Sequence, residues 1–122
     1  MRILDVYHGA KGDDILKIVQ EGVFRPSLGG EIYFVEYDVG EAMQYGADTS
    51  RMAFFAIRAR VRVPMTATIE KLDRPGAPQH TLKVTTSLPL QAEVSEMYIR
   101  KARGSHLQLI RGSSEIVKAL KP

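Results

Sequence analysis

Residues that can act on a nucleoside-like ligand stand at four widely separated points of this chain. In His8-Gly9, the imidazole can exchange a hydrogen bond with a hydroxyl, and the glycine backbone can approach a ligand closely because it has no side chain. Tyr33 and Tyr45 can hold a flat ring between two aromatic faces. Glu96 has apolar neighbours, which should partly desolvate and orient its carboxylate. Together these residues form a candidate nucleoside-binding site.

Each of these residues also has an ordinary structural interpretation. His8 can be a hydrogen-bonded residue at the end of a strand, and the two tyrosines can be half-buried core residues with solvated hydroxyls. Glu96 can be an ion-pair partner of Arg100 or Lys101. The site hypothesis rests on these residues acting together.

The sequence lacks the motifs of several other kinds of site. The chain has no cysteine, which excludes disulfides, thiolate nucleophiles and cysteine-ligated metals. The histidines His8, His80 and His106 are far apart and lack metal-ligand spacing, so no metal is expected. No Rossmann glycine pattern, Walker loop or nucleophile elbow is present.

The two tyrosines belong to a predicted strand and a predicted helix that follow each other closely. The apolar run Ile32–Val35 is typical of a strand. Asp38 is predicted to cap a helix, with Glu41 three residues later completing a capping box. Gly46 is predicted to end this helix in a left-handed conformation. Tyr33 then lies on the strand and Tyr45 near the end of the helix.

The remaining pattern predicts an α+β fold with a small, mostly antiparallel sheet and two or three short helices in one domain, residues 1–122. The helices are predicted over Gly12–Glu21, ending at Gly22, and over Ser114–Leu120, capped by Ser113. Further strands are predicted over Arg2–Tyr7, Ala53–Val63, Met65–Leu72, Leu82–Thr86, a late segment containing Glu96, and Leu107–Ile110, with a loop over residues 73–78.

The strand Ala53–Val63 alternates most clearly. Phe55, Ile57, Ala59, Val61 and Val63 fall on one face, and Arg58, Arg60 and Arg62 fall on the other. The arginine row is either a solvated sheet face or an anion-binding stripe. The pattern favours the solvated face.

Composition is that of an ordinary soluble globular protein. The chain has 122 residues, 44% hydrophobic and 25% charged, with a net charge of +3. No apolar run approaches the roughly 20 residues needed to span a bilayer, and the N-terminus lacks the apolar region of a signal peptide. We therefore expect a cytoplasmic protein without membrane contact. The net charge is too small to predict nucleic-acid binding by itself.

The site residues carry a resemblance to the H-Y-E branch of the ADP-ribosyltransferases, the branch of poly(ADP-ribose) polymerases and diphtheria toxin. Tyr7-His8-Gly9 resembles that family's His-Gly pair at the end of the first strand, and Gly30-Glu31-Ile32-Tyr33-Phe34 its Gly-x-Tyr-Phe strand. Ala42-Met43-Gln44-Tyr45 is similar to the helix with its stacking tyrosine. Ser95-Glu96-Met97-Tyr98-Ile99 is similar to the late glutamate strand, with Met97 as an extra residue. The four elements occur in order over residues 7 to 100.

The resemblance implies a split ADP-ribosyltransferase-like sheet and NAD as co-substrate. It implies that His8 binds a ribose hydroxyl of NAD and that the Gly9 backbone binds the nicotinamide carboxamide. Tyr33 and Tyr45 would stack on the nicotinamide ring. Glu96 would bind the ribose 2′-hydroxyl and stabilise positive charge as the glycosidic bond breaks, which fits the requirement that a catalytic group stabilise the transition state most.

Three departures from the family pattern affect what is expected. Ala42 occupies the position of a carboxamide-binding serine, whose role Gln44, Thr49 or Ser50 would have to take. Val94 stands two residues before Glu96, where arginine-modifying relatives carry Glu or Gln, and Glu93 is expected to face the opposite side of the strand. Arginine is therefore not expected as the acceptor. The short segment between His8 and Tyr33 implies single transfer rather than polymer growth.

The first functional hypothesis is thus a mono-ADP-ribosyltransferase with a protein or nucleic-acid acceptor, and a bacterial or phage toxin or effector is one biological role that it includes. An inhibitory antitoxin or immunity protein would then be a further partner. The alternatives are an NAD glycohydrolase, a non-catalytic module binding NAD or ADP-ribose, and a small basic nucleic-acid-binding domain. The last would use the arginine row together with Arg100, Lys101 and Arg103.

Overall fold

The computed structural model describes residues 1–72 and 80–121. Three helices lie within these ranges: α1 (Gly12–Glu21), α2 (Val39–Gln44) and α3 (Ser113–Leu120). The strands of the same ranges are β1 (Arg2–Gly9), β2 (Val23–Phe24), β3 (Glu31–Val35), β4 (Ala47–Asp48), β5 (Ala53–Val63), β6 (Thr68–Leu72), β7 (Thr81–Thr85), β8 (Leu90–Lys101) and β9 (Leu107–Arg111). The predicted loop over residues 73–78 lies outside the described residues.

The strands form one sheet in the order β2-β8-β5-β1-β3-β7-β6, with β4 paired to β5 and β9 paired to β8. Every strand pair is antiparallel. The prediction of an α+β protein with a mostly antiparallel sheet and short helices is therefore confirmed. The short strands β2 and β4 have too few residues for periodicity to reveal them, and the sequence did not predict them.

Strand β5 is the centre of the sheet because it pairs with β1 on one side and β8 on the other. Its alternation is as predicted: Phe55 and Ile57 are buried, whereas Arg60 and Arg62 are exposed. A strand with this pattern can bury one row of side chains and solvate the other. The predicted bounds of this strand, Ala53–Val63, are confirmed.

Helices cover the two faces of the sheet unequally. The main core packs Ile15 of α1 and Ile116 of α3 against strand residues such as Val6, Phe34 and Ile57. We call this side the α1 face. A smaller cluster on the other side, the α2 face, joins Ala42 and Met43 of α2 to Val35 and Ala56, with Tyr7 and Tyr98 packed beside it.

The pairing between β1 and β3 is very short. β1 pairs with β5 over its whole length, but its register with β3 consists of the pair Tyr7–Val35. Beyond that pair β1 continues along β5, and Tyr33 pairs instead with Lys83 of β7. The sheet therefore consists of two parts joined at one point, next to His8 and Gly9.

Helix α2 begins as predicted but does not end as predicted. The Asp38 carboxylate accepts the N–H groups of Gly40 at 2.9 Å and Glu41 at 3.3 Å. The reciprocal half of the capping box is absent, because the Asp38 N–H donates to the Glu36 carbonyl. Tyr45, with φ of −88°, is the C-cap, so the prediction that Gly46 ends the helix in a left-handed conformation is wrong.

Helix α1 ends as predicted, whereas helix α3 is not capped as predicted. α1 ends at Gly22, whose φ of 70° confirms the predicted left-handed stop. Ser113 does not cap α3. Gly112 is the N-cap, and the Ser113 hydroxyl donates to the Val94 carbonyl at 3.2 Å. The Ser113 hydroxyl thus bonds a carbonyl of β8 instead of a free N–H group in the first turn of α3.

Candidate functional site

Gly9 lies against the C-terminal end of α2. A Cβ atom built on Gly9 would lie 1.8 Å from the Ala42 carbonyl oxygen and 3.0 Å from the Gly46 nitrogen. Any side chain here would collide with helix backbone, so glycine lets β1 and α2 touch. This contact places the end of β1 beside the turn that carries Tyr45.

The His8 imidazole is fixed by the neighbouring strand. Its Nδ1 is 2.8 Å from the Tyr33 carbonyl oxygen, and its ring packs on Phe24 and Phe34. A carbonyl only accepts hydrogen bonds, so Nδ1 carries the hydrogen and Nε2 of the neutral ring is an acceptor. Burial lowers the pKa of His8 below its usual range, although the bond to Tyr33 opposes the shift. His8 can therefore accept a hydrogen bond from a ligand hydroxyl.

The two tyrosines keep accessible rings. Tyr33 is 45% exposed and Tyr45 54% exposed. The Tyr33 hydroxyl donates to Glu31 Oε2 at 2.6 Å, and the Tyr45 N–H donates to the Ala42 carbonyl at 3.0 Å. Ala42 itself is fully buried, so its side chain serves the packing of α2 in this conformation.

Glu96 is held by donors from two strands. Its Oε2 accepts a 2.5 Å hydrogen bond from the Tyr98 hydroxyl, and its Oε1 is 3.8 Å from Arg58 Nη1. Arg58 in turn donates to both carboxylate oxygens of Asp5, at 3.0 and 2.9 Å. Arg58 thus orders a row of charged groups across β1, β5 and β8.

The charges of this row shift one another's pKa values. The hydrogen bond from Arg58 lowers the pKa of Asp5, and the same bond raises the pKa of Arg58. Burial, and then the hydrogen bond to Glu96, raise the pKa of Tyr98 well above its usual range. Tyr98 therefore remains a protonated donor toward Glu96 at physiological pH.

The predicted site residues do not all share one face of the sheet. Gly9 meets the end of α2 through a close backbone contact, and His8 beside it bonds the Tyr33 carbonyl. The imidazole of His8, however, packs on residues of the α1 face, whereas Glu96 bonds Tyr98 on the α2 face. β5 separates β1 from β8, so Glu96 also lies two strands from His8.

A β-bulge changes the orientation expected for Glu93. The register between β5 and β8 shifts between Arg58 and Ala59, so that Arg58 opposes Glu96 and Arg60 opposes Glu93. Arg58 and Arg60 lie on one side of β5, which places Glu93 and Glu96 on the same face. The prediction that Glu93 faces away from Glu96 is wrong, because simple alternation does not count the extra residue.

The arginine row has two different environments. Arg58 is bound to Asp5, as described above, whereas Arg60 and Arg62 are exposed along a groove of about 550 Å³ that also contains Glu93 and Gln91. The mixture of charges in this groove fits the solvated face that the sequence favoured.

Sequence patterns indicated Tyr98 as an apolar neighbour of Glu96 but not as its hydrogen-bond donor, and they missed Asp5 and Arg58. Tyr98 was recognisable, because residues two apart on a strand share a face. Arg58 and Asp5 were not, because their positions opposite Glu96 depend on the register of three strands and on the bulge.

Across residues 1–72 and 80–121, no group of three or more His, Asp or Glu side chains is arranged to hold a metal ion. Nor does any helix in those ranges have both the length and the apolar character to cross a membrane.

Comparison with known proteins identifies no relative of this chain. No family model matches it, and no curated protein or solved structure is significantly similar.

Proposed function

We propose that this protein is an NAD-dependent mono-ADP-ribosyltransferase with an ADP-ribosyltransferase-like split sheet. The observation that supports the proposal best is the meeting of three segments separated in sequence. His8 bonds the Tyr33 carbonyl, and Gly9 touches the α2 backbone at Ala42. These are the first three elements of the resemblance described above, and they meet where β1 and β3 cease to pair.

In this proposal NAD binds at the end of β1. Nε2 of His8 accepts a hydrogen bond from a ribose hydroxyl, and the backbone of Gly9 binds the nicotinamide carboxamide. The exposed rings of Tyr33 and Tyr45 stack on the nicotinamide. Ala42 stands where a serine would assist the carboxamide, so carboxamide binding depends on backbone groups and on Gln44, Thr49 or Ser50.

Glu96 is the proposed catalytic carboxylate. The bond between ribose C1′ and the nicotinamide nitrogen breaks, and its electron pair leaves with neutral nicotinamide. A lone pair of the acceptor forms the new bond to C1′, and the acceptor proton passes to solvent. A carboxylate fixed by Tyr98 and Arg58 can stabilise the cationic ribose of the transition state without reorganising. Bound NAD must then extend around the end of β1 to reach Glu96 from His8.

The acceptor is a macromolecule, protein or nucleic acid, and water would make the enzyme a glycohydrolase. Glu93 shares a face with Glu96, which keeps arginine among the acceptors to be tested. Mass spectrometry of modified lysate proteins is the measurement that decides whether arginine is among the acceptors.

Incubating the protein with labelled NAD, alone and with cell lysate, tests the proposal. We expect release of nicotinamide and transfer of label. Glu96→Gln should reduce both by roughly a hundredfold while changing NAD affinity much less. Tyr45→Ala should instead weaken NAD binding by about 1 kcal/mol, whereas Tyr37→Ala, at another exposed tyrosine, should leave binding unchanged. Undiminished turnover in folded Glu96→Gln would remove Glu96 from the mechanism.

A non-catalytic module that binds NAD or ADP-ribose is the second candidate. The observation that favours it is the placement of His8 and Glu96 on opposite faces, with Glu96 already engaged by Tyr98. This candidate predicts saturable NAD binding that depends on His8 and Tyr45, without any nicotinamide release. Calorimetric titration with NAD, together with the assay of nicotinamide release, distinguishes the binding module from the transferase.

A further inference from the structure

Strand β9 is an apolar edge of the sheet formed by the described residues. Among the described strands it pairs with β8 alone, and Leu107 and Leu109 are 43% and 40% exposed. Leu109 lies opposite Tyr98 in the register, so both leucines project from the α2 face. A strand edge has unpaired backbone N–H and C=O groups that readily pair with another chain.

The described sheet ends differently on its other side. There β6 carries Glu70 and Lys71, and Glu70 forms an ion pair with Lys83. Charges of this kind are the usual protection of an edge strand against pairing. In β9 the four residues from Leu107 to Ile110 are uncharged. β9 therefore has the composition of a strand that is covered by a partner.

The segment around β9 is rich in basic residues, although Glu96 of β8 lies opposite Arg111 in the register. From Met97 to Ser114 the chain contains Arg100, Lys101, Arg103 and Arg111 and no acidic residue, although the net charge of the entire chain is only +3. Arg100 of β8 lies opposite Leu107 in the register, and its guanidinium stacks over the ring of Phe54 on the β5 side, 4.8 Å from the ring centroid. A partner bound at this edge would experience a positive field.

We propose that β9 is a docking strand for an extended, acidic segment of a protein partner, which adds to the sheet as a further strand. Backbone hydrogen bonds to β9 would supply affinity, and alternate apolar side chains of the partner would cover Leu107 and Leu109. Its acidic residues would pair with the basic residues around β9. β9 carries none of the residues assigned to NAD, so a docking role for this strand goes beyond the proposed enzymatic function.

Charge, the strand edge and the exposed leucines together favour this occupant over two others. A second copy of the chain would place one cationic segment against another, which opposes self-pairing. Nucleic acid would satisfy the cations, but it would leave the unpaired strand edge and the leucines without matching groups. Acidic polypeptide in an extended conformation matches all three features of the surface.

A fluorescent synthetic peptide with alternating isoleucine and glutamate is the probe, titrated into the full chain without NAD. We expect saturable binding that weakens with salt. Binding should be weaker by at least about tenfold for a peptide with lysine in place of glutamate, and for one with prolines in place of the central residues. Amide hydrogen exchange at residues 107–111 of the wild type should slow on binding.

Matched variants locate the surface. The double substitution Leu107→Ser and Leu109→Ser should weaken peptide binding by about tenfold or more, whereas Leu28→Ser, at an even more exposed leucine, should not. Arg103→Glu should weaken binding, and Arg62→Glu, on another strand, should not. Equal binding of acidic and basic peptides, unchanged exchange at β9, dimerisation through β9, or preference for an oligonucleotide over the acidic peptide would each overturn the proposal.

Discussion

At the scale of single residues, the chemistry of Glu96 depends on neighbours rather than on its own position in the sequence. The Tyr98 hydroxyl fixes one carboxylate oxygen at 2.5 Å, while Arg58 faces the other at 3.8 Å. Because Asp5 already takes both donors of one edge of the Arg58 guanidinium, Arg58 supplies Glu96 with weak electrostatic attraction. Tyr98 is therefore the more important positioning residue.

Tyr98→Phe tests this ranking. The substitution keeps the ring and removes the hydrogen bond to Glu96, so we expect kcat for NAD cleavage to fall by about tenfold with little change in NAD affinity. Tyr37→Phe, which removes an exposed hydroxyl elsewhere, is the control. An unchanged kcat in Tyr98→Phe would show that Arg58 and the backbone suffice to orient Glu96.

His8 couples the candidate site to pH. Burial lowers its pKa in the folded protein below the ordinary value of 6.5, so the unfolded chain binds more protons when the pH falls below 6.5. The stability due to neutral His8 is present above pH 6.5. As the pH decreases through the lowered pKa, we expect this stability to be lost, at no more than about 1.4 kcal/mol per pH unit.

Urea unfolding of wild type and His8→Asn between neutral and mildly acidic pH measures this loss. Asparagine can still donate to the Tyr33 carbonyl but does not titrate, so the variant should lose less stability over the same range. Asp5, whose pKa is lowered, affects stability only at more acidic pH, as it becomes protonated. Parallel curves for the two proteins would contradict the assignment to His8.

At the scale of elements, the end of α2 packs by backbone contacts against β1 at Gly9 and against β5 at Gly46, and neither position tolerates a side chain. A Cβ on Gly9 would lie 1.8 Å from the Ala42 carbonyl, and one on Gly46 would lie 1.7 Å from the Phe55 carbonyl. Gly46 is thus required by close packing rather than by helix termination. Helix α2 has only six residues and depends on this packing for its position.

Gly9→Ala should move α2 away from β1. We expect a loss of stability of about 3 kcal/mol or more, since the obstructing atoms are backbone and cannot rotate aside. NAD binding should weaken with it. Gly29→Ala is the matched control, because the nearest atom to its added Cβ is the Ser27 hydroxyl oxygen at 3.9 Å. Thermal unfolding of both variants measures this loss of stability. Equal melting temperatures would contradict the close backbone contact at Gly9.

At the scale of the whole molecule, Arg51 connects three distant parts of the chain. Its guanidinium donates to the Leu120 carbonyl at 2.9 Å and to Asp13 at 2.8 Å, and it lies 3.6 Å from buried Asp48. Asp48 also accepts the Gly12 N–H at the start of α1. This cluster joins α1, β4 and the end of α3.

Arg51→Met should destabilise the protein by about 2 kcal/mol, because it leaves the Leu120 carbonyl and the Asp48 carboxylate without their cation. Arg25→Met removes an exposed pair with Glu21 and should cost less than about 0.5 kcal/mol. Chemical denaturation at low and high salt measures both. A similar small loss in the two variants would mean that solvent compensates for Arg51.

Local sequence patterns determined the elements of this protein to a large extent. Alternation marked β5 because period two follows directly from the geometry of a strand, and Gly22 marked the end of α1 because its φ of 70° is costly for other residues. Asp38 was recognisable as a cap because it bonds N–H groups two and three residues ahead. Such signals involve neighbours along the chain.

Which distant residues meet depends on strand pairing across the entire sheet. The bulge beside Ser95 places Glu93 on the face of Glu96, because one unpaired residue reverses the alternation of everything before it. The separation of Glu96 from the His8 ring likewise follows from strand order and register, which depend on contacts across the entire sheet. The sequence by itself determined local conformation and the candidate residues, whereas long-range pairing decided their faces, partners and distances.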